Sequence, residues 1–325
     1  MGVSEDKIKH HFKIKPPQKS AFTIKTPDNM PKMHQLLIAS GRRGGGKSVA
    51  VSNHIKNLYD NKIIDRIILI TPTYHSNAEI WKPLPIAEED ILDPSKFVLK
   101  KVIKAIEGER KDWDDFKEIK RKYKVFKEMI NSEDDIVTSM PPDVIEEFDR
   151  LNFFDQEPFW KYRLTEPPRV YVVIDDCMGT PLLACPSAGL TRFIIAHRHW
   201  GGGLGCSVAM LVQSYSGIGA IARPIRENCT LLLLFKCIQD VQLKRIFSEV
   251  IGDEMTEEEF LELFHHACAE QFGFLTIDFS AEDKQKMFRK CFDTYLALAG
   301  REFGSPAPKG EPLKPPSLRD GTLKK

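Results

Sequence analysis

Gly41, Gly46, Lys47 and Ser48 stand at the spacing G-x-x-x-x-G-K-[ST], inside the stretch MHQLLIASGRRGGGKS that runs from Met33 to Ser48. The chemistry this pattern serves is the holding of a triphosphate. Glycines let successive backbone N–H groups turn inward into an anion nest that side chains would block. The loop candidates are Gly41, Arg42, Arg43, Gly44, Gly45 and Gly46. Lys47 is placed to reach the β- and γ-phosphates, and the Ser48 hydroxyl to ligate Mg²⁺.

A second constellation is RVYVVIDD, Arg169–Asp176. Val170–Ile174 is an apolar run of strand length that ends in two aspartates. A carboxylate at the carboxyl end of a parallel strand, next to a phosphate loop, is where Mg²⁺ is held. Asp175 is therefore expected on the metal, directly or through water, and Asp176 is expected to orient or deprotonate an attacking water. A third apolar run, Cys206–Val212, ends in Gln213-Ser214. The Gln213 amide is either a strand cap or a sensor of the γ-phosphate or attacking water. Arg198, Arg223 and Arg226 are candidates for an arginine finger, a cation that stabilises transition-state charge from a neighbouring subunit. Taken alone, each reads first as a surface or salt-bridged arginine and only second as a finger.

These residues need a scaffold, and the apolar pattern supplies one. Strands are expected at Gln35–Ser40, Ile67–Ile70, Val170–Ile174, Cys206–Val212 and Thr230–Phe235. Such runs do not alternate, which suits strands buried on both faces. Helices are expected at about Ser48–Tyr59, Leu190–Trp200, Lys244–Val250, Glu257–Cys268 and Lys284–Leu298, with a short strand in Phe272–Phe279. Five strands with helices between them give an α/β fold, a parallel sheet covered on both faces. Residues 75–165 form a long insertion between the second strand and the acidic one. Its clearest element is Asp112–Asn131, where Trp113, Phe116, Ile119, Tyr123, Phe126 and Ile130 recur at helical spacing. The mixed charge on the other faces fits a solvated surface or a subunit- or substrate-facing one. Pro142–Leu151 is a second helix, and Ser132–Pro142 a loop.

The sequence has 325 residues, 42% of them hydrophobic, and a formal net charge of +1. That length suits one large domain with an elaborated insertion. Near-neutral charge gives no global attraction to nucleic acid, so any such binding must use local basic patches. The seven cysteines are odd in number, and Cys206, Cys229 and Cys237 sit in apolar runs, so they are expected as reduced core residues. Residues 1–31 form a lysine-rich, proline-broken arm, and residues 300–325 a Pro/Lys-rich tail expected to be disordered. The ATPase domain would then span 32–299. The charged start lacks the apolar segment of a secretory signal, and no apolar run approaches a membrane span, so a soluble, non-secreted chain without membrane insertion is expected.

The chain resembles the packaging ATPases of large eukaryotic double-stranded DNA viruses and virophages, the poxvirus-type branch of the FtsK–HerA superfamily. The pieces run in the family's order: FKIKPP, LLIASGRRGGGKS, RIILITPT, VYVVIDDCMG, AHRHWGGGLGCSVAMLVQS, IRENCTLLLLFK, and EQFGFLTIDFS followed by MFRKCFD. The phosphate loop and Asp-Asp strand specify only a P-loop ATPase. Arg198-His199 with Gln213, then Arg226-Glu227-Asn228 before an apolar strand, narrow it. The resemblance implies a P-loop NTPase with a RecA/ASCE-type five-stranded core. It implies ATP and Mg²⁺ as cofactors and a homo-oligomeric ring of five or six subunits. It also implies translocation of double-stranded DNA, without sequence preference, into a preformed capsid through a capsid or portal partner. The setting would be the host cytoplasm or viral factory, with the virion itself also open. Two departures stand out: Arg42-Arg43 occupy positions usually small, and Asp176 stands where many members carry Glu.

Two other functions are compatible with a phosphate loop. A small-molecule kinase would need an acceptor pocket, and Thr71-Pro72-Thr73 offers no acidic pair for one. A non-motor nucleotide switch would bind ATP only to control assembly.

Overall fold

The computed structural model describes residues 24–298, except 25, 28, 132–139, 163–165, 186–187, 218–219, 237 and 253–254. The expected N-terminal arm before residue 24, the tail from 300, Cys237 and most of the 132–142 loop lie outside the described residues.

One nine-stranded sheet carries the molecule, in the order β3-β2-β4-β5-β1-β6-β7-β8-β9. β1 is Leu36–Ser40, β2 Arg66–Ile70, β3 Ile91–Leu92, β4 Val170–Asp175 and β5 Cys206–Val212. β6 is Leu231–Phe235, β7 Phe274–Asp278, β8 Phe288–Lys290 and β9 Thr294–Tyr295. The five strands expected from the apolar runs are the adjacent β2-β4-β5-β1-β6, and every pairing among them is parallel. β3 extends this block in parallel at one edge. On the other side β7, β8 and β9 continue it antiparallel.

Successive strand residues point to opposite faces, so each uninterrupted run feeds two cores. Leu37, Ala39, Leu69, Tyr171, Val173 and Leu233 face one side, where Val51, Ile55 and Leu58 of α1 (Lys47–Asp60) cover them. Trp81 of α2 (Ala78–Trp81) joins the same layer. Ile38, Ile70, Val172, Met210 and Leu234 face the other side. There they meet Val98, Val102 and Ile106 of α3 (Val98–Ile130).

α3 is one 33-residue helix, beginning fourteen residues before the periodicity of Asp112–Asn131 suggests. Only its first third packs on the sheet. Further along, Trp113 and Phe116 stack with Trp160. Phe126 then joins Phe148 of α4 (Pro142–Arg150), Phe153 and Met140 in a separate aromatic cluster. Between these regions Arg66 donates two hydrogen bonds to Asp90, at 2.7 and 2.8 Å, and one to Glu109 at 2.9 Å. Lys161 and Tyr162 also donate to Glu109, each at 3.0 Å.

Two expected helices are corrected. Leu190–Trp200 is helical only over α6 (Leu190–Ile195), which follows the short α5 (Pro181–Ala184). The next turns pass through Gly201, Gly202, Gly203 and Gly205, all with positive φ. Gly201 also admits α3: a Cβ there would lie 3.0 Å from the Ile106 side chain and carbonyl. Lys284–Leu298 is a single 3-10 turn followed by β8 and β9. Its apolar residues recur at helical intervals, but Cys291 takes φ +51 and Phe288 is buried by pairing with β7. Strand pairing overrides local periodicity there. Further helices among the described residues include α7 (Arg223–Glu227), α8 (Asp240–Ile246), which a π-helical segment Phe247–Ile251 continues, and α9 (Glu257–Ala267). α9 is opened by a capping box between Thr256 and Glu259.

Candidate functional site

β1, β4 and β5 are parallel neighbours, so their carboxyl ends emerge side by side. β1 delivers the glycine loop, β4 delivers Asp175 and Asp176, and β5 delivers Gln213. A cleft of about 380 Å³ at this edge is lined by Arg43 to Val49, Asn77, Ile80, Asp175, Asp176, Leu211, Gln213 and Phe272. Lys47 and Asp175, far apart in the chain, thus share one pocket.

The loop is held from both sides. The Gly41 N–H donates to the Val212 carbonyl at 3.2 Å, anchoring the loop to β5. Gly44 (φ +77) and Gly46 (φ +90) take left-handed conformations that L side chains rarely adopt. The Lys47 ammonium donates to the carbonyls of Gly41 (2.7 Å) and Arg42 (3.0 Å), closing the loop on itself. Gly46 immediately precedes α1, whose positive dipole end faces the same cleft.

The Ser48 hydroxyl donates to both oxygens of Asp175, at 3.3 Å each. Asp175 is 3% exposed, and burial pushes its carboxyl up to about 6. The Ser48 hydrogen bond and the Lys47 charge oppose that rise, and the Asp176 charge adds to it. This buried carboxylate lacks full compensation from the protein alone. A hydroxyl and a carboxylate side by side are hard oxygen donors suited to Mg²⁺, which keeps waters and shares its coordination with substrate phosphates. Among the described residues no group of three or more His, Cys, Asp or Glu could hold a metal by itself. Ser48 and Asp175 therefore fit a metal that arrives with a phosphate ligand.

Asp176 follows the strand at φ +51, in the left-handed region. Its Oδ1 accepts a hydrogen bond from Gln213 Nε2 at 2.9 Å. The amide and the second aspartate thus form one polar unit at the cleft, where a water could be held.

The arginines fall elsewhere. Arg226 is 5% exposed and gives both ends of its guanidinium to Glu249, at 2.9 Å each. It donates a third bond to the Ile221 carbonyl at 2.6 Å. It holds α7 to the segment after α8 and is not presented outward. Arg223 is exposed and paired with Glu227 at 2.7 Å. Arg198 is exposed in the turn before β5, at the end of that strand opposite Gln213. The structure brings none of the three into the cleft.

Five lining residues, Val49, Asn77, Ile80, Leu211 and Phe272, were not singled out from the sequence as site residues. For Phe272 the usable signal was an aromatic next to a glycine, in QFGF, just before a strand. A larger cavity of about 660 Å³ lies against α5, α6 and α7, with an apolar lining apart from Thr191 and Arg192. No carboxylate or lysine lines it, whereas Lys47, Asp175 and Asp176 line the smaller cleft.

No family model and no curated protein matches this sequence. Among solved structures it is similar to the genome packaging NTPase B204 from Sulfolobus turreted icosahedral virus 2 in complex with ATP-gammaS, at 12% identity and a TM-score of 0.37. That match covers 76% of this chain and 93% of the other. The pCW3 conjugation coupling protein TcpA, in its monomer form with ATPgS, matches at 14% identity and a TM-score of 0.35, covering 67% and 52%. EssC (ATPases 2 and 3) from Geobacillus thermodenitrificans matches at 14% and 0.34, covering 66% and 34%.

Proposed function

We propose that this protein is an ATP hydrolase that moves double-stranded DNA, acting as a homo-oligomeric ring of five or six subunits in genome packaging. The observation that supports it most is the meeting of Lys47, Ser48, Asp175, Asp176 and Gln213 in one cleft at adjoining strand ends. Loop N–H groups and Lys47 hold the triphosphate, and the Lys47 ammonium exchanges its loop carbonyls for phosphate oxygens. Ser48 and Asp175 would hold Mg²⁺, whose chemistry there would be to offset negative charge on the phosphates. Asp176, steadied by Gln213, orients a water in line with the γ-phosphate. Packaging into a capsid rests on the ordered motif resemblance, from FKIKPP to MFRKCFD. Contacts to DNA should be phosphate-directed and indifferent to sequence. A finger arginine must come from a residue not committed within its own subunit, which favours Arg198 over Arg226.

ATP turnover by the purified chain, with and without double-stranded DNA at two salt concentrations, tests this. We expect DNA to stimulate hydrolysis, and added salt to reduce the stimulation. Lys47→Ala should reduce turnover by about 10³-fold or more, the scale of removing preorganised positive charge from a phosphoryl transition state. Hydrolysis that ignores DNA under every condition would remove the motor reading, and ATP binding without hydrolysis would leave a nucleotide switch.

A further inference from the structure

Two of the apolar side chains lining the same cleft are exposed, and phosphate chemistry does not use them. Phe272 is 58% exposed and Val49 is 50% exposed. Val49 follows Ser48 directly on α1. Phe272 lies in the turn between α9 and β7, and its backbone takes φ +63, a conformation costly for a residue with a side chain. The turn is tightly fixed, since a Cβ on Gly273 would lie 2.6 Å from the Ala267 carbonyl. It sets the ring beside the last loop glycine: a Cβ on Gly46 would meet Phe272 Cδ1 at 3.3 Å. An exposed aromatic on a strained backbone, held against a phosphate loop, calls for a ligand reason.

A nucleotide whose phosphates lie in the glycine nest must carry its base out past the start of α1. We infer that Phe272 is the platform on which the nucleobase stacks, with Val49 as its apolar neighbour. This rests on the reading of the loop as a triphosphate site. The ring offers a face and no hydrogen-bonding edge, so it adds affinity for a base without choosing which base. Phe272 positions the nucleoside end of the substrate and takes no part in moving the phosphoryl group.

The test compares a nucleotide with its phosphates alone. Dissociation constants are measured for AMP-PNP and for inorganic tripolyphosphate, each with Mg²⁺, on the full chain and on Phe272→Ala, Phe272→Gly and Phe272→Trp. Glycine adopts positive φ freely, so Phe272→Gly removes the ring while keeping the turn, should the alanine variant fold poorly. We expect the Ala and Gly variants to bind AMP-PNP roughly tenfold more weakly, the scale of one base–aromatic stack. Tripolyphosphate should stay within about twofold on the same scale, and the Trp variant should keep wild-type nucleotide affinity. Parallel loss of both ligands would mean that the ring only props the loop at Gly46, and unchanged AMP-PNP binding would mean no stacking; either overturns the inference. Failure of the triphosphate site looks different: the wild type binds neither ligand, or Lys47→Ala leaves both unchanged.

Discussion

The two ends of α3 bury themselves in unlike surroundings. Val98, Val102 and Ile106 lie in a core fed by most of the strands. Phe126, some twenty positions on, lies in a cluster of four buried side chains, with Met140, Phe148 and Phe153. The sheet region fixes its central strands by pairing on both sides and packing on both faces. The distal region has aromatic contacts, and surface ion pairs such as Arg121–Glu118 and Lys124–Glu128. Exposed pairs of that kind contribute little. The cleft residues lie on the region that is held in many ways, and the region held in few carries none of them.

The sharpest break of this contrast is a pair of core truncations. Leu233→Ala and Phe126→Ala each remove a buried side chain, at a local cost of about 3 kcal/mol or more. Leu233→Ala should lower the stability of the whole chain and speed amide exchange throughout the sheet. Phe126→Ala should speed exchange in the second half of α3 and in α4 while leaving β1, β4 and β5 protected and nucleotide binding intact. Equal loss of protection in both regions would show that they unfold as one.

Acid should also find the sheet region first. Burial pushes His54 down to about 4, and burial followed by the charge of His197 does the same to His34. Both fold as neutral rings, so the unfolded chain binds more protons between about pH 4 and 6.5, and stability falls as pH drops through that window. Asp175 works in the opposite sense: its raised carboxyl binds a proton more readily when folded, so protonation toward pH 5 stabilises. Together these three groups should lower stability by about 2 kcal/mol from pH 7 to pH 5, and His197, also lowered by burial, acts in the same direction as the other two histidines. Denaturant midpoints at the two pH values measure it, and His54→Gln should flatten the slope.

The smallest effect separates activity from stability within one residue. Asp175→Asn removes a charge that burial disfavours at neutral pH. The variant should lose hydrolysis yet gain about 1 kcal/mol of stability without Mg²⁺. A loss of stability on this substitution would place Asp175 among the supports of the fold.

Legibility followed the same division. The five parallel strands could be read because a strand buried on both faces leaves an unbroken apolar run, as in Val170–Ile174. The cleft could be read because Lys47, Ser48 and Asp175 stand at spacings and strand ends that phosphate binding requires. What could not be read depended on distant partners. β3 has two residues and no signature of its own; it exists because β2 offers it an edge. Lys284–Leu298 carries helical spacing, and only β7 makes it a pair of strands. Arg226 looked available because nothing local announces Glu249, which lies beyond another strand and helix.

The outermost strands at both margins of the sheet are two residues long, β3 at Ile91–Leu92 and β9 at Thr294–Tyr295. A neighbouring molecule that tried to prolong the sheet would find little backbone on which to dock. Fibril-like growth along these margins is thereby discouraged. Any contact between copies of this chain would therefore fall to side chains, which can part and re-form more easily than a shared ladder of backbone hydrogen bonds.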